Sequence, residues 1–213
     1  MFQADGLAEN TNLSSLHPQI AMSGVPPYTL KVAKTKDEIE AAYDIRLEVF
    51  SVEQGFPVET EIDEYDPVSV HFLLTTPIPS PPDTTVQSLL PDSLTPNRPH
   101  PSTTQKPIGT IRLVPDLGKV GRLVVDKEYR KYGFGKVLLC AVDDYIQGLN
   151  EEERAVMKGI IREEEGQKVA QLKLHAQMQV IPFYAKFGYR PVGEPFDEDG
   201  APHQKMVKDL VLS

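Results

Sequence analysis

Residues 121 to 146 read GRLVVDKEYRKYGFGKVLLCAVDDYI. An apolar run enters a turn made of Arg130, Lys131, Tyr132, Gly133, Phe134, Gly135 and Lys136, and a helical periodicity leaves it. The first turn of a helix carries unpaired N–H groups and a partial positive charge, and glycine lets an anion come close to that backbone. Arg130, Lys131 and Lys136 add cationic charge, so the turn suits a pyrophosphate. A nucleotide-binding loop of the G-x-x-x-x-G-K-[S/T] kind needs a hydroxyl after its lysine, but Val137 follows Lys136 and the glycine spacing differs. A dinucleotide fingerprint needs a third glycine where Leu138 stands. A third reading is the pyrophosphate of coenzyme A.

The elements around this turn follow from periodicity. Phe134, Val137, Leu138, Ala141, Val142, Tyr145 and Ile146 recur at helical spacing and give the strongest helix in the chain. IGTIRLV (108–114) and KVGRLVVD (119–126) read as strands joined by a hairpin at Leu117–Gly118. Thr35 and Glu38 have capping-box spacing, so a helix starts there and carries Ile39, Ala42, Tyr43, Leu47 and Phe50 on one face. Residues 28–33, 68–76 and 170–177 are strand-like. Val180, Phe183, Tyr184 and Phe187 mark a short helix that Gly188 ends, and two closing strands follow.

Other stretches differ in kind. Nine of the 19 prolines lie between 77 and 107, a segment too poor in apolar residues to offset its ordering entropy. It is expected to be a disordered loop between two strands. Residues 150–168 form a charged insertion with a short exposed helix, and residues 1–27 a disordered tail ahead of one domain, 28–213. With net charge −9, a nucleic-acid partner is not expected and a cationic substrate is favoured. The single cysteine, Cys140, makes no intrachain disulfide, which fits a reducing compartment. No apolar run reaches the roughly 20 residues that span a bilayer, and no basic leader precedes Lys31. A cytoplasmic or nuclear protein with no membrane partner is expected, as a monomer or homodimer.

Arg130-x-x-Gly133-x-Gly135 resembles the acyl-CoA loop of the GNAT N-acetyltransferase superfamily. The resemblance extends over about the last 185 residues. GRLVVDKEYRKYGFGKVLL is similar to that superfamily's fourth strand and third helix, and PFYAKFGYRPVG to its fourth helix and next strand. A narrower similarity is to the ElaA-like acetyltransferases. It rests on Arg46, Val49, Phe50, Val52, Glu53 and Gln54, on Asp63, Asp66 and His71, on Ala176 and Gln177, and on Phe196, Glu198, Asp199, Gly200, His203 and Met206. Val180 replaces an asparagine common in relatives, leaving Gln177 or Gln179 to supply a polar contact.

The resemblance implies an α/β fold, with a mixed sheet of six or seven strands flanked by four helices. It implies an acetyl-CoA-dependent N-acetyltransferase acting by direct transfer to a primary amine. Leu123, Val124 and Val125 would offer backbone N–H groups to the thioester, the 130–136 turn would hold the pyrophosphate, and Tyr184 would protonate the leaving thiolate. By spacing alone Tyr184 is a core residue on an apolar helix face. Glu53, Asp63, Asp66, His71 and His175 are candidate bases, with Glu53 and His71 favoured; a water relay without a dedicated base also stays open. The five histidines show no ligand-like spacing, so no metal is expected. An amino-sugar-phosphate acetyltransferase and a non-catalytic acyl-CoA sensor are the alternatives.

Overall fold

The computed structural model describes residues 24–78, 105–157 and 159–213. Most of the expected tail and most of the proline-rich segment lie outside these residues. Strand β1 (Thr29–Val32) leads into α1 (Lys36–Arg46), whose Thr35–Glu38 capping box forms as expected. The helical run expected through Phe50 does not stay α-helical. It widens into a π-helical segment, Leu47–Glu53, which carries Leu47 and Phe50. Strands β2 (Val70–Pro77) and β3 (Gln105–Val114) then pair, and the ends of the proline-rich segment extend both of them.

Next come β4 (Lys119–Val125), α2 (Phe134–Gln147), α3 (Glu151–Val156), β5 (Ile161–Glu164), β6 (Gln167–Gln177), α4 (Ile181–Ala185), β7 (Arg190–Pro191), β8 (Phe196–Glu198) and β9 (Ala201–Val211). The sheet order is β1-β2-β3-β4-β6-β9-β7, with β5 on β6 and β8 on β9. This is the expected mixed α/β sheet with four α-helices, plus two short flanking strands. The 150–168 stretch is more than an exposed helix. Met157 and Ile160 are buried in the main core, and Glu165–Gly166, both at positive φ, turn β5 back onto β6.

The sheet has helices on both faces because its strands alternate. Phe72, Leu74, Ile111 and Leu113 pack with Leu138, Leu139, Val142 and Ile146 of α2. Leu73 packs with Ala42 of α1, and Val124 packs with Ile45 and Val49 below it. Every strand pair is antiparallel except β4 with β6, which register only at Lys119–Lys173. Gly118 makes that junction possible. Its φ is +57°, and a Cβ there would lie 2.4 Å from the Gln171 carbonyl oxygen. Beyond Lys119 the two parallel strands part, and a fork opens in the middle of the sheet.

Candidate active site

The fork widens into a cleft of about 560 Å3. β4 and β6 form its floor. The Phe50–Asp63 segment, the 130–136 turn, α4 and the β8–β9 hairpin form its walls. On the β6 side of β4, backbone N–H groups past Lys119 have no strand partner. A bulge sits at the same place. Arg112 registers with Gly121 and Thr110 with Val124, so Arg122 and Leu123 together face Ile111 alone. Arg122 adopts φ +54°, a conformation that costs a non-glycine residue about 1–2 kcal/mol. Its guanidinium is held in place by Thr60 O at 2.6 Å and Asp63 Oδ2 at 3.2 Å.

The turn before α2 is a short 3-10 segment, Lys127–Tyr132, that ends at Gly133 with φ 76°. Gly133 caps α2 with no side-chain hydrogen bond, so the first N–H groups of the helix are left open. Gly133, Gly135 and Lys136 line the cleft, and Lys136 makes no ion pair within the described residues. Phe134 is buried and stacks with Tyr129 and Tyr132, while Lys131 lies over the Tyr132 ring. The side chains of the turn's aromatic residues thus do not line the cleft. Leu123 and Val125 line the cleft, whereas Val124 points the other way, into the α1 face.

Arg130 is not a free cation. Its guanidinium grips Glu53 at 2.6 and 2.5 Å and donates to Val125 O at 3.0 Å. The hydrogen bond from Arg130 holds the Glu53 carboxyl below its ordinary value, which makes it a poorer base. Glu53 therefore ties the π-helical segment to the anion turn. His71, the other favoured base, does not line the cleft. It is 2 % exposed, its Nε2 lies 3.0 Å from the Asp66 carbonyl oxygen, and burial lowers its pKa. Because that carbonyl can only accept, Nε2 carries a proton, and burial disfavours adding a second one at Nδ1.

Asp63 and Asp66 belong to a charge network beneath α1. Asp66 accepts from Arg46 at 2.7 and 3.3 Å and from the Asp63 N–H at 2.9 Å, with Arg112 also 2.9 Å away. Arg112 grips Asp63 at 2.7 and 2.9 Å. Burial raises the Asp63 carboxyl, but the Arg112 hydrogen bonds outweigh it and hold the group at about 2. Glu61, which was not singled out in the sequence, also lines the cleft, and burial pushes its pKa up. Its burial depends on the distant arginines Arg46 and Arg122, 3.8 and 3.9 Å from its carboxylate, which local sequence does not display.

Tyr184 faces the cleft from α4, with its ring edge against Phe183 and Tyr189. Burial pushes its hydroxyl up to about 12, so it is protonated at neutral pH. Gln177 donates toward Gln54 at 3.5 Å and accepts from Gln179 at 2.5 Å, which links β6 to the opposite wall of the cleft. His175 also lines the cleft, with Nδ1 2.9 and 3.0 Å from the Glu198 carboxylate oxygens. Asp66 and His71 lie away from the cleft. Glu53 stays behind its pair with Arg130, while Asp63 and His175 line the cleft, and of these two only His175 keeps a basic atom without a partner among the described residues.

Comparison with known proteins agrees with this geometry. An acetyltransferase (GNAT) domain model matches residues 102–191, which span the bulged strand, the anion turn, α2, the fork and α4. A candidate acetyltransferase of Bacillus subtilis is 31% identical over 184 residues, covering 84% of this chain and 95% of the relative. A solved structure of a candidate N-acetyltransferase from Lactobacillus plantarum superposes with a TM-score of 0.58 at 25% identity, covering 86% of this chain and 98% of that one. Escherichia coli ElaA shares the fold, with a TM-score of 0.54 at 20% identity over 85% of this chain and 98% of its own. A forked sheet with a bulge at the fork and an open helix start beside it, in a chain this similar to acetyltransferases along its length, belongs to the GNAT acetyltransferase family.

Proposed function

We propose that the protein transfers an acetyl group from acetyl-CoA directly to a primary amine. The observation that carries this reading is the fork. One cleft joins unpaired backbone donors of β4, the open start of α2 and a protonated tyrosine. The pyrophosphate would rest on the N–H groups after Gly133, with Lys136 alongside. The thioester oxygen would gain charge against the β4 donors at the bulge. Donors of this kind are worth about 100- to 1,000-fold in rate. Tyr184 would give its hydrogen to the departing sulfur. Amine attack, carbonyl polarisation and leaving-group protonation then take place in one site.

The acceptor side of the cleft favours an amine over a phosphate ester. Its two arginines, Arg112 and Arg122, are already committed to Asp63, and Glu198 and Asp199 add negative charge. A phosphorylated amino sugar would meet carboxylates there rather than free guanidinium groups.

Lys136→Ala tests the nucleotide end. One lost charge-assisted contact is worth about 1.5–3 kcal/mol, so acetyl-CoA should bind at least about tenfold more weakly by titration calorimetry. A bulky substitution at Gly135 would be less clean, since even a Cβ there lies 3.4 Å from the Phe183 ring of α4. Unchanged affinity in Lys136→Ala would remove the turn from the binding site.

A further inference from the structure

We propose that His175, oriented by Glu198, is the general base that removes the proton from the acceptor amine. The inference deepens the transfer reading above and rests on it. β4 and β6 register at Lys119–Lys173 and then part, so His175 is the next β6 residue on the Lys173 face after the fork opens. Its neighbours Leu174 and Ala176 point into the main core toward α2. The imidazole therefore points to the opposite face, and it lines the cleft that Tyr184, packed against the core side, also lines.

Three local features fix the ring. Glu198 ends β8, and the Asp199–Gly200 turn, with φ 53° and 78°, folds it back beside β9. Its carboxylate bonds Nδ1, and Phe196 sets its ring edge-on to the imidazole at 4.8 Å and 78°. The hydrogen bond from His175 holds Glu198 below its ordinary value, so the carboxylate is ionised and can only accept. The proton of neutral His175 must then sit on Nδ1. That leaves the Nε2 lone pair with no partner among the described residues. His203, also in the cleft, has no carboxylate partner; it is 8 % exposed and bonds the Ala201 carbonyl oxygen through Nδ1.

The step balances without a further reagent. Nε2 takes a proton from the amine as the nitrogen lone pair forms the C–N bond. The C–S bond breaks, the sulfur takes the Tyr184 hydrogen, and the imidazolium proton returns to the tyrosinate through solvent. The charged and titratable groups around His175 are Glu198 on β8, Lys119 on β4, His203 and Lys205 on β9, and Asp199 in the turn. Glu198 stabilises the imidazolium that forms when Nε2 takes the proton.

Long-range 1H–15N NMR on the whole chain reads the tautomer of His175 directly, with acetyl-CoA present. The expected result is an Nδ1–H tautomer in the wild type, and loss of that preference in Glu198→Ala. An Nε2–H tautomer in the wild type, or a tautomer balance indifferent to Glu198→Ala, overturns the proposal whichever acceptor is used. Single-turnover transfer to benzylamine, putrescine, lysine and glucosamine supplies the second arm. His175→Gln should keep its acetyl-CoA affinity, lose about 100-fold in rate and lose the inflection below which the rate falls with falling pH. Wild-type rates and pH profile in His175→Gln would overturn the base role but leave the transfer reading standing. A wild-type protein that binds acetyl-CoA and acetylates none of these amines would overturn both.

Discussion

Tyr184→Phe should slow acetyl transfer by about 100- to 1,000-fold in single-turnover measurements, the lower part of the range for general acid catalysis. Acetyl-CoA affinity and the fold should hardly change. The tyrosine hydroxyl has no hydrogen-bond partner among the described residues, and its ring contacts with Phe183 and Tyr189 survive in phenylalanine. Burial keeps the group protonated, with its pKa at about 12. A thiol near 8.5 is the stronger acid, so full proton transfer from tyrosine to a free thiolate is uphill. The hydroxyl therefore acts while the C–S bond is breaking, with the imidazolium as the final proton source. Single-turnover rates isolate this step from product release. A phenylalanine variant with wild-type rates would make Tyr184 a packing residue.

Asp66→Ala should cost about 3–5 kcal/mol of stability, measured by urea unfolding, because it leaves buried arginines with too little counter-charge. Arg46 and Asp66 side chains are each 1% exposed, and Arg46 would keep only Glu61, 3.8 Å away. That loss is a large part of the 5–15 kcal/mol available to a typical domain and corresponds to a melting point lower by roughly 10 °C. Burial raises the Asp66 carboxyl, but the Asp63 N–H and Arg46 outweigh it, so its folded pKa lies below its unfolded one. The stability it supplies is present above the ordinary carboxylate range and is lost as pH falls through the folded pKa. Asp66→Ala should therefore flatten the acid limb of the stability profile. A variant as stable as wild type would mean that the network is not a support for the cleft wall.

The elements that carry their own signal were readable from sequence. The α2 face announces itself through seven apolar residues at helical spacing, and the Thr35–Glu38 capping box is local chemistry that needs no tertiary partner. The anion turn is equally local, because a strand, a glycine turn and a helix start lie within a few residues of one another. What escaped is what depends on distant partners. The acidic run before Gly166 reads as solvated insertion, yet its backbone forms the β5–β6 hairpin, while Met157 and Ile160 fill core space. The π-helical widening at Leu47–Glu53 leaves no mark in apolar spacing; its effect is to bring Glu53 to Arg130, 77 residues away. A sequence shows an exposed glutamate there and cannot show that its carboxylate is occupied.

The same limit applied to the base. His71 lies in an apolar strand, where a buried histidine satisfied by a carbonyl is the common outcome, and the structure puts it there. His175 and Glu198 lie 23 residues apart, and only the pairing of β6 with β9 and of β8 with β9 brings them together. The Arg122 bulge is likewise invisible in composition, since nothing in KVGRLVV marks a non-glycine residue at positive φ.

Transfer from acetyl-CoA labelled with 13C at the acetyl carbonyl tests the central claim most directly. The labelled cosubstrate is incubated with the protein and the four amines, and the carbonyl resonance is followed by NMR while released CoA is quantified. The account predicts that the thioester signal gives way to an amide signal for at least one amine, with one CoA released per amide formed, and that Tyr184→Phe and His175→Gln each slow the conversion. Acetyl-CoA bound at the 130–136 turn with its thioester signal unchanged for every amine would contradict the account and leave a protein that binds an acyl-CoA without turning it over.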